Sequence, residues 1–325
     1  MSEDIREKPY LTHDDIIGLN FIKTPSRYYF RRHYRSGLRS HIMEILHPEA
    51  LERERNGVPI NGIMSFPRAR PKKVLRIFRS RFDALEEAEE EPRRVMMIES
   101  FLAPEHIARS NEFIVDYVFS GTRDFLLCGI QEYINGEVID PWDTLDGDYF
   151  ASLYWRMGFA REEGWQERLN SWIARVRNQT EGFVSSIRRL IHETGLIPDL
   201  AGVGNLILTR EAEIKLVDIN NVSRVRTELI PLDDRGYPVC DKSIEALFFL
   251  EQKILGKTSL EGCPLYRVVL DPLRRREVSA LVKSFHTALS EWGLSRRSSY
   301  PSPDGKFSCQ GIIFSETDTR RDQTE

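Results

Sequence analysis

Apolar positions recur at helical spacing along several stretches of the chain. In 169–194, Trp172, Val176, Phe183, Ile187 and Leu190 fall on one stripe, and 149–159 carries the same period. Ile244, Leu247, Phe248, Ile254 and Leu255 predict a helix over 244–255, ended by Gly256. Val278, Leu281, Val282, Phe285 and Leu289 predict another over 274–292. The acidic run 86–91 precedes Pro92, which suits a first helical position, and a helix then continues through Val95, Ile98 and Leu102. Other runs have strand character. Residues 73–79 follow a Pro- and Arg-rich turn, and 124–130 run into the turn Glu132-Tyr133-Ile134-Asn135-Gly136. Two short apolar runs, 206–208 and 214–217, flank a polar connection and predict a β-hairpin. A piece at 311–314 is strand-like, 230–241 is punctuated by Pro and Gly, 295–305 reads as a linker and 320–325 as a frayed end. Helices and strands are therefore mixed, which predicts an α+β fold.

The stretch 198–221 concentrates the candidate chemistry. Asp199 opens a loop of small residues that ends in Asn205, and Asp218 follows the second strand of the hairpin. A hairpin brings all three to one edge. Two carboxylates and an amide at strand ends suit Mg²⁺, which takes hard oxygen ligands, commonly one or two carboxylates plus substrate phosphates. The competing reading is a plain hairpin whose Asp and Asn cap turns.

This stretch resembles the catalytic-loop and metal-loop segment of the protein-kinase-like fold, in its divergent bacterial, small-molecule or atypical members. The resemblance implies that Asp199 is the catalytic base and that Asn205 and Asp218 hold the metal. The match departs at Ile197-Pro198-Asp199, which replaces a His-Arg-Asp signature. A loop to Asn205 one residue longer than usual, and Ile219-Asn220 after Asp218, are further departures. Upstream, 124–137 resembles the fifth strand and interlobe hinge. Gln131 then takes the gatekeeper position, Glu132 and Ile134 offer main-chain groups to adenine, and Glu137 reaches a ribose hydroxyl. The helices of 148–195 separate hinge from loop in the family's order.

Alternation along 73–79 puts Val74, Arg76 and Phe78 on one face. Arg76 is thus the match to the family's third-strand lysine, with Lys73 as the fallback and Glu91 or Glu99 as the acidic partner. Guanidinium and ammonium differ in geometry, so the replacement is not neutral. No glycine-rich phosphate loop precedes this strand. Gly57 and Gly62 flank 58–61 without a G-x-G-x-x-G pattern. The resemblance therefore implies either an ATP- and Mg²⁺-dependent phosphotransferase, acting on a hydroxyl of a protein or small molecule, or a pseudokinase without turnover that serves as a nucleotide-binding or protein-interaction regulatory module.

Composition narrows the rest. The chain has 325 residues, 41% of them hydrophobic, with a net charge of −4. That size holds one large or two linked cores, and the acidic balance argues against a nucleic-acid partner. Four cysteines without a CxxC pair speak against zinc and against a disulfide framework. The seven histidines form no ligand spacing, and His33, His41 and His47 read as surface or core residues. No stretch approaches membrane-spanning length and the start is polar, so a cytoplasmic location without a membrane partner is expected. The resulting expectation is a two-lobed protein-kinase-like fold, with a small β-rich N-lobe and a mostly helical C-lobe. Residues 1–57 form an N-terminal extension, 58–136 the N-lobe and hinge, 137–293 the C-lobe and 294–325 a tail. The aromatic and basic residues of the first 60 positions read as packing on the small lobe.

Overall fold

The computed structural model describes residues 3–34, 39–257 and 263–291. A short helix α1 (His13–Ile17) starts at Thr12, where Thr12 and Asp15 form a reciprocal capping box. Strands β1 (Tyr29–Arg32) and β2 (Ser40–Leu46) follow. Helix α2 (Pro48–Asn56) stops at Gly57, whose φ of 72° suits a residue without Cβ. A small hairpin, β3 (Val58–Ile60) and β4 (Ile63–Ser65), precedes β5 (Lys73–Phe78). Helix α3 (Leu85–Leu102) then leads into β6 (Ser110–Phe119) and β7 (Thr122–Glu132). Five of these strands form one antiparallel sheet in the order β1-β2-β5-β7-β6.

The remainder is mostly helical. After β8 (Gly136–Val138) come α4 (Gly147–Arg156) and the long α5 (Trp165–Thr194). Four short strands follow: β9 (Leu196–Pro198), β10 (Leu206–Thr209), β11 (Ile214–Leu216) and β12 (Val222–Arg224). Helices α6 (Val239–Leu255), α7 (Pro264–Val269) and α8 (Pro272–Glu291) complete the described chain. β10 pairs with both β11 and β8, and β9 pairs with β12.

Two apolar clusters dominate. One lies on the sheet and holds Leu75, Ile77, Leu126 and Cys128 together with Ile5, Leu11 and Ile16 from the start of the chain. The other joins α5, α6 and the 196–219 strands, and draws in Val95, Ile98 and Leu102 of α3. α3 therefore fastens the sheet to the helical body. The stripe read from the sequence is the buried one, since Trp172, Val176, Phe183, Ile187 and Leu190 are all fully enclosed.

Several boundaries differ from those expected. Residues 1–57 are no extension, because β1 and β2 supply two of the five strands and residues 5–22 pack on the same sheet. β1 is hard to read because it carries Arg31 and Arg32. Arg31 is neutralised by Glu44 and Glu54, each at 2.8 Å. Pro92 lies inside α3 rather than opening it. An interior proline removes one helical hydrogen bond, and the burial of Ala88, Val95, Ile98 and Leu102 on this helix offsets the loss. The expected strand at 311–314, linker at 295–305 and tail fall outside the described residues.

Candidate functional site

Sheet and helical body meet in a cleft. Val74, Arg76 and Ile42 line it from the sheet, and Gln131, Glu132, Tyr133 and Ile134 from the end of β7. Asn205, Ile207, Val217 and Asp218 close it from below, while His33 and Tyr34 border it above. The hinge positions read from the sequence and both expected metal-holding residues thus share one cleft with Arg76. Lys73 is exposed at the start of β5 and Arg76 is the buried cation. The alternation therefore picked the cation that faces the site.

Arg76 does not pair with α3. Its Nη2 lies 2.9 Å from Asp218 Oδ1, with Ser40 Oγ at 3.4 Å. Glu91 instead pairs with Arg94 of its own helix at 2.9 Å, and Glu99 Oε1 accepts the Ser110 N–H at 3.0 Å. A different carboxylate lies within electrostatic reach of Arg76. Arg76, Gly129 and Glu112 occupy one row across β5, β7 and β6, and directly opposite residues share a face. A Cβ at Gly129 would lie 3.3 Å from Glu112 Oε1, so the missing side chain leaves that carboxylate its space. Burial pushes the Glu112 carboxyl up, while the Ser110 hydroxyl, the Asn220 amide and the charge of Arg76 oppose the shift. Glu112 was not legible in the sequence, because its place beside Arg76 depends on two strand registers.

The loop from Asp199 to Asn205 is held by its own polar groups. The Asp199 N–H donates to the Asn221 carbonyl at 2.8 Å, continuing the β9–β12 ladder. Asp199 Oδ1 accepts the Ala201 and Gly202 N–H groups at 2.9 and 3.0 Å, and Oδ2 accepts from Asn221 Nδ2 at 3.0 Å. Asn205 Nδ2 donates to the Asp199 carbonyl at 2.9 Å. A Cβ on residue 202 would come within 2.5 Å of that amide, so Gly202 is the residue that lets Asn205 fold back.

Asp199 is only 2% exposed. Burial, with the charge of Asp218 adding to it, pushes its carboxyl up to about 6, while the hydrogen bonds from Ala201, Gly202 and Asn221 act the other way. It does not line the cleft, unlike Asn205 and Asp218. Asp199 stands behind that wall, locked to Asn221.

Gln131 spans the back of the cleft. Its Nε2 donates to the Val217 carbonyl at 2.9 Å and to the Ala108 carbonyl at 3.3 Å. It thereby ties β7 to the residue preceding Asp218. The Glu132 and Tyr133 N–H groups are taken by Arg109 and Lys72 carbonyls, whereas the Ile134 N–H has no backbone partner among the described residues. Glu137 pairs with Arg156 at 2.8 Å and does not line the cleft, so it differs from the expected ribose contact.

Gly57 and Gly62 lie outside the cleft lining, Gly57 after α2 and Gly62 in the β3–β4 turn. His33 and Tyr34, which follow β1, border the cleft; His33 Nδ1 sits 2.9 Å from Glu44 Oε1, and its ring is tilted against that of Tyr34 with centroids 4.4 Å apart. His33 had read as a surface or core residue.

The loop expected over 230–241 ends at Pro238, where α6 begins, and is ordered by its own acids. Asp233 Oδ1 accepts the Arg235 and Tyr237 N–H groups at 3.0 and 2.8 Å, and neighbouring Asp234 pairs with Arg39 of the sheet. Arg274 of α8 fastens the segment before it, donating to Asp241 and to the carbonyls of Arg226, Thr227 and Leu229.

Among the described residues no three His, Cys, Asp or Glu side chains form a metal cluster, and no helix is long and apolar enough to cross a membrane. The chain matches no protein-family model and no curated protein. Sequence and geometry define a mixed α and β protein with a polar cleft between its sheet and its helices.

Proposed function

We propose that this chain has the two-lobed protein-kinase-like fold and binds ATP with Mg²⁺ in the cleft, for transfer of the γ-phosphoryl group to a hydroxyl. The observation that carries this reading is the convergence of Arg76, Asn205 and Asp218 on a cleft whose rim is 131–134. The donors fit the ligand. Asp218 and the oriented Asn205 amide supply hard oxygens, and Mg²⁺ needs few protein ligands when phosphates complete its shell. Arg76 carries a fixed positive charge suited to phosphate. Val74, Ile207 and Val217 offer apolar contact for a flat base, and the Ile134 N–H is free to meet its edge. Once bound, magnesium would neutralise charge on the phosphates, the main demand of this chemistry.

Asp199 divides the reading. A carboxyl raised to about 6 is a stronger base than an ordinary aspartate yet is ionised at neutral pH. Both its oxygens are nevertheless engaged inside the loop. That burial favours the second reading, a pseudokinase that uses nucleotide binding for regulation.

A thermal shift with ATP, with and without Mg²⁺, on wild type and Asp218→Asn tests the binding. A ligand that binds only the folded chain raises its stability by RT ln(1 + [L]/Kd). The expected result is a metal-dependent shift that the variant loses. No shift at millimolar ATP would sink both readings as nucleotide binders. Where binding holds, ATP turnover that Asp199→Asn abolishes selects the phosphotransferase, and absence of turnover selects the pseudokinase.

A further inference from the structure

β3 and β4 stand apart from the rest of the molecule. They pair with each other, Ile60 opposite Ile63 and Pro59 opposite Met64, and join no other strand among the described residues. Asn61 and Gly62 have φ of 50° and 80°. Positive φ at both central residues is the type I′ turn, whose twist matches that of paired strands. The hairpin is a formed element, and the chain that follows it is pinned at Ala69. Glu54 Oε2 accepts the Ala69 N–H at 2.6 Å, and Arg31 donates to the Ala69 carbonyl at 2.8 Å.

Its apolar side chains are nevertheless more than half exposed, although Met64 and Phe66 also lie against Gly57 at the foot of the hairpin. Ile60 is 52% exposed, Ile63 74%, Met64 55% and Phe66 61%. Opposite residues share a face and neighbours alternate. Ile60 and Ile63 therefore lie on one face, and Pro59 and Met64 on the other. A hairpin seated on a protein groove needs one apolar face. Apolar residues on both faces suit a medium that surrounds the tip.

Charge identifies the medium. The run that returns the hairpin to the sheet, 68–73, holds Arg68, Arg70, Lys72 and Lys73 and no acid, in a chain of net charge −4. All four are exposed. Arg68 stands 3.8 Å from Glu44, while Arg70, Lys72 and Lys73 make no ion pair among the described residues. We infer that the β3–β4 hairpin inserts its tip into a bilayer rich in anionic lipid while the 68–73 run rests on the phosphate headgroups. An apolar insertion together with a basic patch is the two-part signal that stable peripheral binding requires. Spanning length, on which the expectation of no membrane partner rested, is irrelevant to a tip that enters only the interface. The inference stands on the hairpin and is independent of the cleft.

Flotation of the full chain with phosphatidylcholine vesicles, with and without phosphatidylglycerol, tests it. Wild type is expected to float with the anionic vesicles and to be released by high salt. Ile60→Ser combined with Ile63→Ser should stay behind while melting like wild type, because both side chains flank the turn and are exposed. Arg70→Glu combined with Lys72→Glu should weaken binding by roughly thirtyfold or more. Ile63→Trp should show a blue-shifted emission on adding the anionic vesicles. Wild type that fails to float, a serine variant that floats equally, or a tryptophan that does not respond would each overturn the proposal. So would a dimer in sedimentation that the serine variant abolishes, since the tip would then cover a second copy.

Discussion

Arg76 Nη2 and Asp218 Oδ1 are 2.9 Å apart although 142 positions separate the two residues in the chain. The pair closes the cleft between sheet and helical body, and it joins the cation and the acid that the proposed reading assigns to phosphate and metal. Asp218→Asn keeps the shape and removes the charge that offsets a buried guanidinium. Breaking a fully buried pair costs about 3–5 kcal/mol. Asp218 is partly exposed, so a loss of about 2 kcal/mol is expected. Arg76→Met in the same chain should recover part of it. Urea melts of wild type, both single variants and the double variant measure the coupling, and additive losses would dismiss the pair.

Gly202 reports on Asn205. With Cβ room of only 2.5 Å beside the Asn205 amide, Gly202→Ala must displace that side chain or its loop. The expected cost is about 1–3 kcal/mol, with loss of any metal-dependent ligand shift from a chain that still melts cooperatively. An alanine variant that keeps the full ligand shift would show that Asn205 is not part of the site.

Two buried groups give opposite responses to acid. Asp199 holds its proton more tightly in the folded chain, with a value of about 6 against an ordinary 3.8. Its carboxylate therefore costs stability above pH 6, and the cost fades as pH falls toward 3.8. His41 is pushed down to about 4 by burial and by the positive charge of Arg79. It contributes stability while neutral and loses it as pH falls from 6.5 toward 4. Between about pH 7.5 and pH 5 the first effect gains about 1 kcal/mol and the second loses about 2 kcal/mol. Relative to wild type, Asp199→Asn should gain on going up through this range and His41→Gln on going down. Urea midpoints at the two pH values check both signs.

Arg274 anchors a whole segment. It donates to Asp241 Oδ1 at 2.6 Å and to three carbonyls of the 226–229 segment. Arg274→Ala strands the buried Asp241 carboxylate, at an expected cost of about 3–5 kcal/mol. Amide exchange should rise first in 226–229, ahead of α6. Uniform exchange across the molecule would mean that Arg274 supports the fold as a whole rather than this segment.

What was legible in the sequence follows from how far each signal reaches. α5 could be read because its stripe repeats over 30 residues, and β10–β11 because turn chemistry lies between two short apolar runs. The cleft-facing set of Gln131, Glu132, Ile134, Asn205 and Asp218 was readable as short motifs in order. β1 was not, since Arg31 and Arg32 interrupt its pattern and only the fold supplies Glu44 and Glu54. The resemblance places the partner of Arg76 on the next helix, whereas the chain delivers it from the far side of the cleft as Asp218. Glu137 failed for a related reason: Arg156, nineteen positions on and in the next helix, takes its carboxylate.

Gly129 has a further effect on the cleft. With no side chain between Arg76 and Glu112, the guanidinium stands between two acids, one in the cleft and one on an outer strand. A cation that engages Asp218 would compete with Arg76 for it, with Glu112 across the gap as a second carboxyl within the guanidinium's electrostatic reach. Replacing the glycine with a large side chain would insulate the two charges. The cleft would then have to choose between neutralising its own arginine and holding a metal.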